Sequence, residues 1–309
     1  MVADMYIVSG FLGAGKTTLI RQLLSDAFQG ARAVLVENDF GDESVDAALM
    51  RRAGVEVAEL ASGCICCNIS GDFVKSLRRL LARYAPEVVV IEPSGVGKLS
   101  DIAALCGDDA IGSHGALKRK VTVVDAVRCA MYLDNFGEFF EDQIACADAV
   151  VLSRCDGPPD IEQRARSLVR TINAGAPIYL SPLSKADISS LLAVPGHPAA
   201  AHMHGHGCGC DDCAHSAEEA FDTVTVRTSE RFSQAEIRRA VAEAELCGTL
   251  LRAKGFLPGH GCAWDVQYVP GELKIASGHG AGAGIICLVG KNLDCGGIAK
   301  LFRGETGGQ

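Results

Sequence analysis

The sequence predicts an α/β protein, a mostly parallel sheet covered by helices on both faces, followed by a small α+β domain. Three observations carry this. Short apolar runs alternate with longer amphipathic stretches through the first 195 residues, the pattern of successive βαβ units. A glycine-rich turn, GFLGAGKT, joins the first apolar run to the first amphipathic stretch. After an interval rich in Gly, His, Cys and Ala, the pattern restarts with an alternating run, FDTVTVRT.

The strand candidates of the first part are 5–9 (MYIVS), 32–37 (RAVLVE), 55–60 (VEVAEL), 87–92 (EVVVIE), 120–126 (KVTVVDA), 148–153 (DAVVLS) and 177–181 (PIYLS). Several are apolar almost throughout, as strands buried on both faces of a parallel sheet must be. Helices are expected at 17–28, 68–84 and 160–173. In the first, Leu19, Ile20, Leu23, Leu24, Ala27 and Phe28 fall on one stripe. Residues 196–219 have no apolar periodicity and read as a flexible linker that cannot pack a core. Beyond it come a strand at 221–228 and a helix at 233–255, with Ile237, Ala240, Val241, Ala244, Cys247 and Leu251 on one face. Ser233 and Glu236 form a capping-box pattern at its start. Strands at WDVQYVPG and GIICLVG and a short helix near CGGIAKLF complete the chain. The expected organisation is a first domain at 1–195, the linker at 196–219 and a second domain at 220–309.

Composition excludes some classes. Apolar residues make up 48% of the 309, enough for a core without disulfide staples. The net charge of −9 argues against nucleic acid as a partner, since such binding runs on basic surface. No apolar run approaches the roughly 20 residues of a membrane span. The opening MVADMYIVSG lacks a signal-peptide layout, so the expected location is cytoplasmic. In a reducing compartment most of the 14 cysteines read as small buried hydrophobes. Cys106, Cys129, Cys146, Cys247 and Cys287 belong to that group.

GFLGAGKT fits G-x-x-x-x-G-K-[ST] at every fixed position, after a strand and before a helix. Gly10, Gly13 and Gly15 let the backbone curl around phosphates, and Ala14 and Thr18 complete the loop and the first turn. Lys16 reaches the β- and γ-phosphates, Thr17 offers a hydroxyl to Mg²⁺, and the helix turns its positive end on the ligand. The fold class is therefore the three-layer P-loop NTPase fold. Glu92 ends a strand where it can hold a Mg²⁺-bound water, and Gly95 lets backbone approach a γ-phosphate. Glu37, Asp39 and Asp42 in VENDFGD could order Mg²⁺ or the attacking water; the alternative is a solvated acidic loop. VVLSRCD occupies the place of a base-recognition loop. Asp156 can accept the guanine-edge N–H groups, while Ser153 and Arg154 stand where Asn and Lys are usual. Arg154 can stack on a purine, and guanine is the favoured base.

SGCICCN carries Cys64, Cys66 and Cys67, too close together for an unstrained disulfide. They read as transition-metal ligands near a helix start, with thiolate softness suited to Zn²⁺ or Cu(I); core packing and redox use are the alternatives. Three ligands make an incompletely closed site. His202, His204, His206, Cys208, Cys210, Cys213 and His215 form a second, adaptable ligand set in the linker.

Together, SGFLGAGKTTLI, VENDFGDESVD, SGCICC, VVVIEPSG and VTVVDA lie in the order and spacing of the CobW-type GTPases, which the chain resembles over essentially its whole length. Relatives of that family are the nickel-insertion GTPases of hydrogenase and urease maturation. LLRAKGFL and LVGKNLD resemble the family's C-terminal domain. The resemblance implies GTP hydrolysis with Mg²⁺, in which Lys16, Glu37 and Glu92 would act, coupled to delivery of Zn²⁺, Co²⁺ or Ni²⁺ to a client metalloprotein. A second copy of the chain, in a dimer, is a further candidate partner. The sequence departs from the family pattern at Ser153-Arg154 and at EPSGVGK, where Thr-Gly and an acid are common. Two rival readings are a metal-storing or sensing protein with a non-hydrolytic nucleotide site, and a P-loop small-molecule kinase.

Overall fold

Seven parallel strands form the first sheet: β1 (Ala3–Gly10), β2 (Ala33–Glu37), β3 (Glu56–Glu59), β4 (Val88–Glu92), β5 (Gly115–Asp125), β6 (Ala149–Ser153) and β7 (Ile178–Leu180). They lie in the order β3-β2-β4-β1-β5-β6-β7, and each neighbouring pair runs parallel. The structure is a computed structural model describing residues 2–37, 56–59, 70–193, 221–278, 284–303 and 305–306.

Helices in this unit are α1 (Lys16–Asp26), α2 (Ser70–Tyr84), α3 (Leu99–Cys106), α4 (Asp109–Gly112), α5 (Cys129–Ala145), α6 (Pro159–Ile172) and α7 (Lys185–Ala193). The apolar stripe of α1, Leu19, Ile20, Leu23 and Leu24, packs with Ile188 and Leu191 of α7 on Val8, Leu35, Val90, Val123 and Val151 of the sheet. The alternate strand residues Met5, Ile7, Val89, Ile91, Val150 and Leu152 are also 0% exposed. Both faces are therefore covered, which is why these strands read as continuous apolar runs. The result is a three-layer α/β fold, with β1 flanked by β4 and β5 and its carboxyl end at the edge where ligands of such sheets bind.

The second unit is a six-stranded antiparallel sheet in the order β11-β10-β9-β12-β8-β13. Its strands are β8 (Asp222–Thr228), β9 (Thr249–Pro258), β10 (Ala263–Val269), β11 (Glu272–Gly278), β12 (Gly284–Lys291) and β13 (Glu305–Thr306), with α8 (Gln234–Ala244) and α9 (Cys295–Leu301). Its core joins Val224 and Val226 to Ile237 and Val241 of α8 and to Leu250, Leu288 and Phe302. Ser233 accepts the Glu236 backbone N–H and the Glu236 carboxylate returns to the Ser233 N–H, closing the capping box.

The helix expected over 233–255 is shorter. It ends at Ala244, continues as one 3₁₀ turn at Glu245–Cys247, and gives way to β9. Gly248, at φ +139, makes the break, and a Cβ there would lie 2.4 Å from the Asn292 carbonyl oxygen. LLRAKGFL satisfies a helical spacing on its own, but pairing with β10 and β12 on its two sides decides its conformation. The chain divides into two compact units, Met1–Asp211 and Asp212–Gln309. The linker expected at 196–219 lies outside the described residues.

Candidate nucleotide site

The turn between β1 and α1 is built by glycines that no other residue replaces without strain. Gly10 has φ +142, and a Cβ on it would lie 2.3 Å from the Val123 carbonyl oxygen of β5. Gly15 is the left-handed N-cap of α1, at φ 104 and ψ 22, and no side chain caps the helix. The first turn of α1 carries no acidic residue either. Its backbone N–H groups and the positive end of its dipole are thus left for an anionic ligand.

Lys16 is 5% exposed, and a buried ammonium needs partners. Its Nζ donates to the Gly10 carbonyl at 3.0 Å and the Phe11 carbonyl at 3.4 Å. It also lies 4.0 Å from Oε1 of Glu92. The Thr17 hydroxyl donates to Oε2 of Glu92 at 3.4 Å. Ala14 is buried and Thr18 is exposed. Lys16, Thr17 and Glu92 thus meet at the carboxyl end of β1 and β4. Glu37 ends β2 and pairs in register with Glu92 on one side and Glu59 on the other; it is 6% exposed.

Gly95 approaches the phosphate loop itself. A Cβ at Gly95 would stand 2.9 Å from the Leu12 backbone nitrogen and 2.8 Å from its Cδ2. Helix α5 supports both loops through two side chains outside the sequence motifs, Tyr132 and Gln143. The Tyr132 hydroxyl donates to the Leu12 carbonyl at 3.3 Å, and its ring lies 4.5 Å from that of Phe11. The Gln143 amide donates to the carbonyls of Gly95 at 3.2 Å and Gly97 at 2.8 Å. A buried Gln on an otherwise apolar helix face was the available signal.

The loop after β6 is tied to the phosphate loop. The Ser153 hydroxyl donates to the Ala14 carbonyl at 2.7 Å, and Nη1 of Arg154 donates to the Gly13 carbonyl at 2.9 Å. Arg154 also pairs with Asp125 at the end of β5. Its guanidinium is thus engaged with backbone and carboxylate, which leaves its stem for any stacking on a base. Asp156 is exposed. Burial raises the pKa of the Cys155 thiol beside it.

Cys64, Cys66 and Cys67 lie outside the described residues, as do Asp39, Asp42, His202, His204, His206, Cys208, Cys210, Cys213 and His215. Among the described residues no group of three or more His, Cys, Asp and Glu side chains could hold a metal ion. No described helix is long and apolar enough to cross a membrane.

Residues 4–180 match the family model described as "CobW/HypB/UreG, nucleotide-binding domain". A zinc chaperone CobW from a Sinorhizobium species is 35% identical over 178 residues, covering 48% of this chain and 50% of its own length. A zinc chaperone CobW from Pseudomonas aeruginosa is 30% identical over 235 residues, covering 65% and 61%. The zinc chaperone YjiA of Escherichia coli is 30% identical over 196 residues, covering 62% and 61%. The chain spans less than two thirds of the length of each of these relatives. A crystal structure of the Zn(II)-bound YjiA GTPase from E. coli aligns over 98% of each chain at 20% identity, with a TM-score of 0.47.

Proposed function

Because the chain belongs to the CobW/HypB/UreG nucleotide-binding family, we propose that it is a GTP-hydrolysing metallochaperone whose cargo is Zn²⁺. The observation that carries this is the convergence of Lys16, Thr17 and Glu92 beneath an uncapped helix N-terminus. That arrangement suits a triphosphate and its cation. The names of the zinc chaperones above support zinc as the cargo.

The residues fit Mg²⁺. The Thr17 hydroxyl and the Glu92 carboxylate, 3.4 Å apart, are the hard oxygen donors that ion takes. Thr17 would bind it directly and Glu92 through a water. Held there, the ion would supply positive charge to offset that of the triphosphate. Lys16 turns from the Gly10 and Phe11 carbonyls to the phosphates and stabilises the charge that develops as the terminal bond breaks. The N–H groups of the Gly13–Lys16 turn bind the bridging and β-oxygens. Glu37, buried at the same sheet edge, orients the attacking water. Gly95 holds its loop against Leu12, so a change at the γ-phosphate position moves both loops together. Asp156 reads the guanine edge.

The cargo site is assigned to Cys64, Cys66 and Cys67, in the connection between β3 and α2. An incompletely closed thiolate set passes a metal on by ligand exchange, to a client metalloprotein. The His/Cys interval at 196–219 would collect metal for it.

Phosphate release from GTP and from ATP, with and without Zn²⁺, tests this in wild type, Lys16→Ala and a Cys64/Cys66/Cys67→Ser variant. The expected result is GTP turnover that needs Lys16 and responds to Zn²⁺ only while the thiols are intact. Phosphate release that is negligible and indifferent to Lys16 would support a storage or sensing protein instead. Transfer of phosphate to a small-molecule acceptor rather than to water would support a kinase.

A further inference from the structure

Asp125 ends β5, and its side chain is 0% exposed. Its Oδ1 accepts the backbone N–H of Val127 at 3.0 Å and of Arg128 at 3.3 Å. Its Oδ2 faces two cations. Nη1 of Arg128 lies 2.7 Å away, and Nη1 of Arg154 bonds the same oxygen. One guanidinium from the following turn already neutralises the carboxylate. The second comes from the loop after β6, and the same Arg154 nitrogen continues to the Gly13 carbonyl at 2.9 Å. Arg154 holds a left-handed backbone, φ +56, to make this reach. Its neighbour Ser153 bonds the adjacent Ala14 carbonyl.

We propose that Asp125 is a positioning residue for the bound nucleotide: through Arg154 it latches the base-side loop to the phosphate loop and fixes the spacing between them. The inference rests on the nucleotide-site reading above. Nη1 of Arg154 spans the Gly13 carbonyl and the Asp125 carboxylate at once, so Asp125 helps fix where that nitrogen sits. The phosphate-binding backbone at Gly13 and Ala14 and the base-side Asp156 then belong to one rigid frame. Without the latch, each nucleotide bound must order the two loops itself, and affinity falls.

The test is a titration of the full chain with N-methylanthraniloyl-GDP and the corresponding ADP derivative, for wild type, Asp125→Asn, Arg154→Ala and the double variant. Asn keeps an acceptor for the Val127 and Arg128 N–H groups but removes the charge. Each single change is expected to weaken GDP binding about tenfold, the scale of one charge-assisted hydrogen bond. The double variant is expected to be no weaker than the worse single one, because both changes break one latch. The preference for guanine over adenine should fall in parallel, a readout that a purely structural role leaves unmoved. Wild-type GDP affinity in Asp125→Asn, or losses that add in the double variant, would overturn the inference. If Asp125→Asn does not fold, Arg154→Ala, at a partly exposed position, decides: unchanged affinity overturns the latch. A wild-type chain that binds no GDP, and that Lys16→Ala does not alter, overturns the nucleotide-site reading and the inference together. Binding that needs Lys16 but ignores Asp125 and Arg154 overturns the inference alone.

Discussion

Lys16 holds two kinds of partner within reach, loop carbonyls and the Glu92 carboxylate, so replacing it tests binding and chemistry at once. Lys16→Ala should lower kcat/KM for GTP by about 100-fold or more, the cost of losing a preorganised cation at developing charge. Steady-state phosphate release reads this directly. Gly95→Ala tests the contact between the two loops. The added methyl meets the Leu12 backbone at 2.9 and 3.0 Å, where relief requires main-chain movement. An overpacking cost of about 1–3 kcal/mol is expected, seen as a lower Tm together with a raised KM for GTP. A variant with wild-type Tm and KM would show that the loops are not in register. The thiol of Cys106 is pushed up to about 12 by burial, so a disulfide reagent at neutral pH should leave it unmodified until the chain is unfolded. Asp125 shows what the sequence hid at this scale. It ends an apolar strand as Glu92 does, but only Glu92 was singled out from the sequence. Only the fold, which places the end of β5 between β1 and β6, reveals that two arginines converge on it.

Elements were legible where one physical demand set the pattern. The β1 turn and α1 follow from GFLGAGKT and one apolar stripe, and the buried strands follow from apolar runs that both faces require. Legibility failed where two demands were compatible with the same residues. Residues 249–255 were part of the helix expected over 233–255, and long-range pairing with β10 and β12 chose the strand. The start of α8 was legible because a capping box is a local device. Ser233→Ala should cost about 1 kcal/mol of stability in the second unit, measured by denaturant unfolding. The Glu236 carboxyl in that box is held down at about 2, mainly by the Ser233 backbone N–H, then by its hydroxyl and by Arg303. A lowered folded-state pKa stabilises above the ordinary value of 4.5, and the contribution disappears as pH falls toward about 2. The Tm difference between wild type and Glu236→Gln should therefore be present at neutral pH and shrink to nothing across that acid range. A difference that persists at the acid end would contradict the assignment.

On the scale of the whole molecule, one sheet edge gathers the ends of four neighbouring strands. The phosphate loop leaves β1, Glu92 ends β4, Glu37 ends β2, and the connection bearing the three thiols leaves β3, the next strand along. These four strand ends are neighbours because the sheet order brings β3, β2, β4 and β1 side by side. Cys64, Cys66 and Cys67 read as ligands from their residue types, and they lie outside the described residues. If Cys64, Cys66 and Cys67 hold Zn²⁺ as proposed, loops ordered by a γ-phosphate should alter its affinity, and linkage requires the effect to be reciprocal. The most direct measurement is the Zn²⁺ dissociation constant, obtained by competition with a chromophoric chelator. It should be made with a non-hydrolysable GTP analogue, with GDP and with no nucleotide, each with Mg²⁺ present. The account predicts that the constant differs between the GTP-analogue and GDP states, that GTP-analogue affinity shifts by the same factor on adding Zn²⁺, and that both shifts vanish in the Cys64/Cys66/Cys67→Ser variant. Identical Zn²⁺ affinity in all three nucleotide states would contradict it.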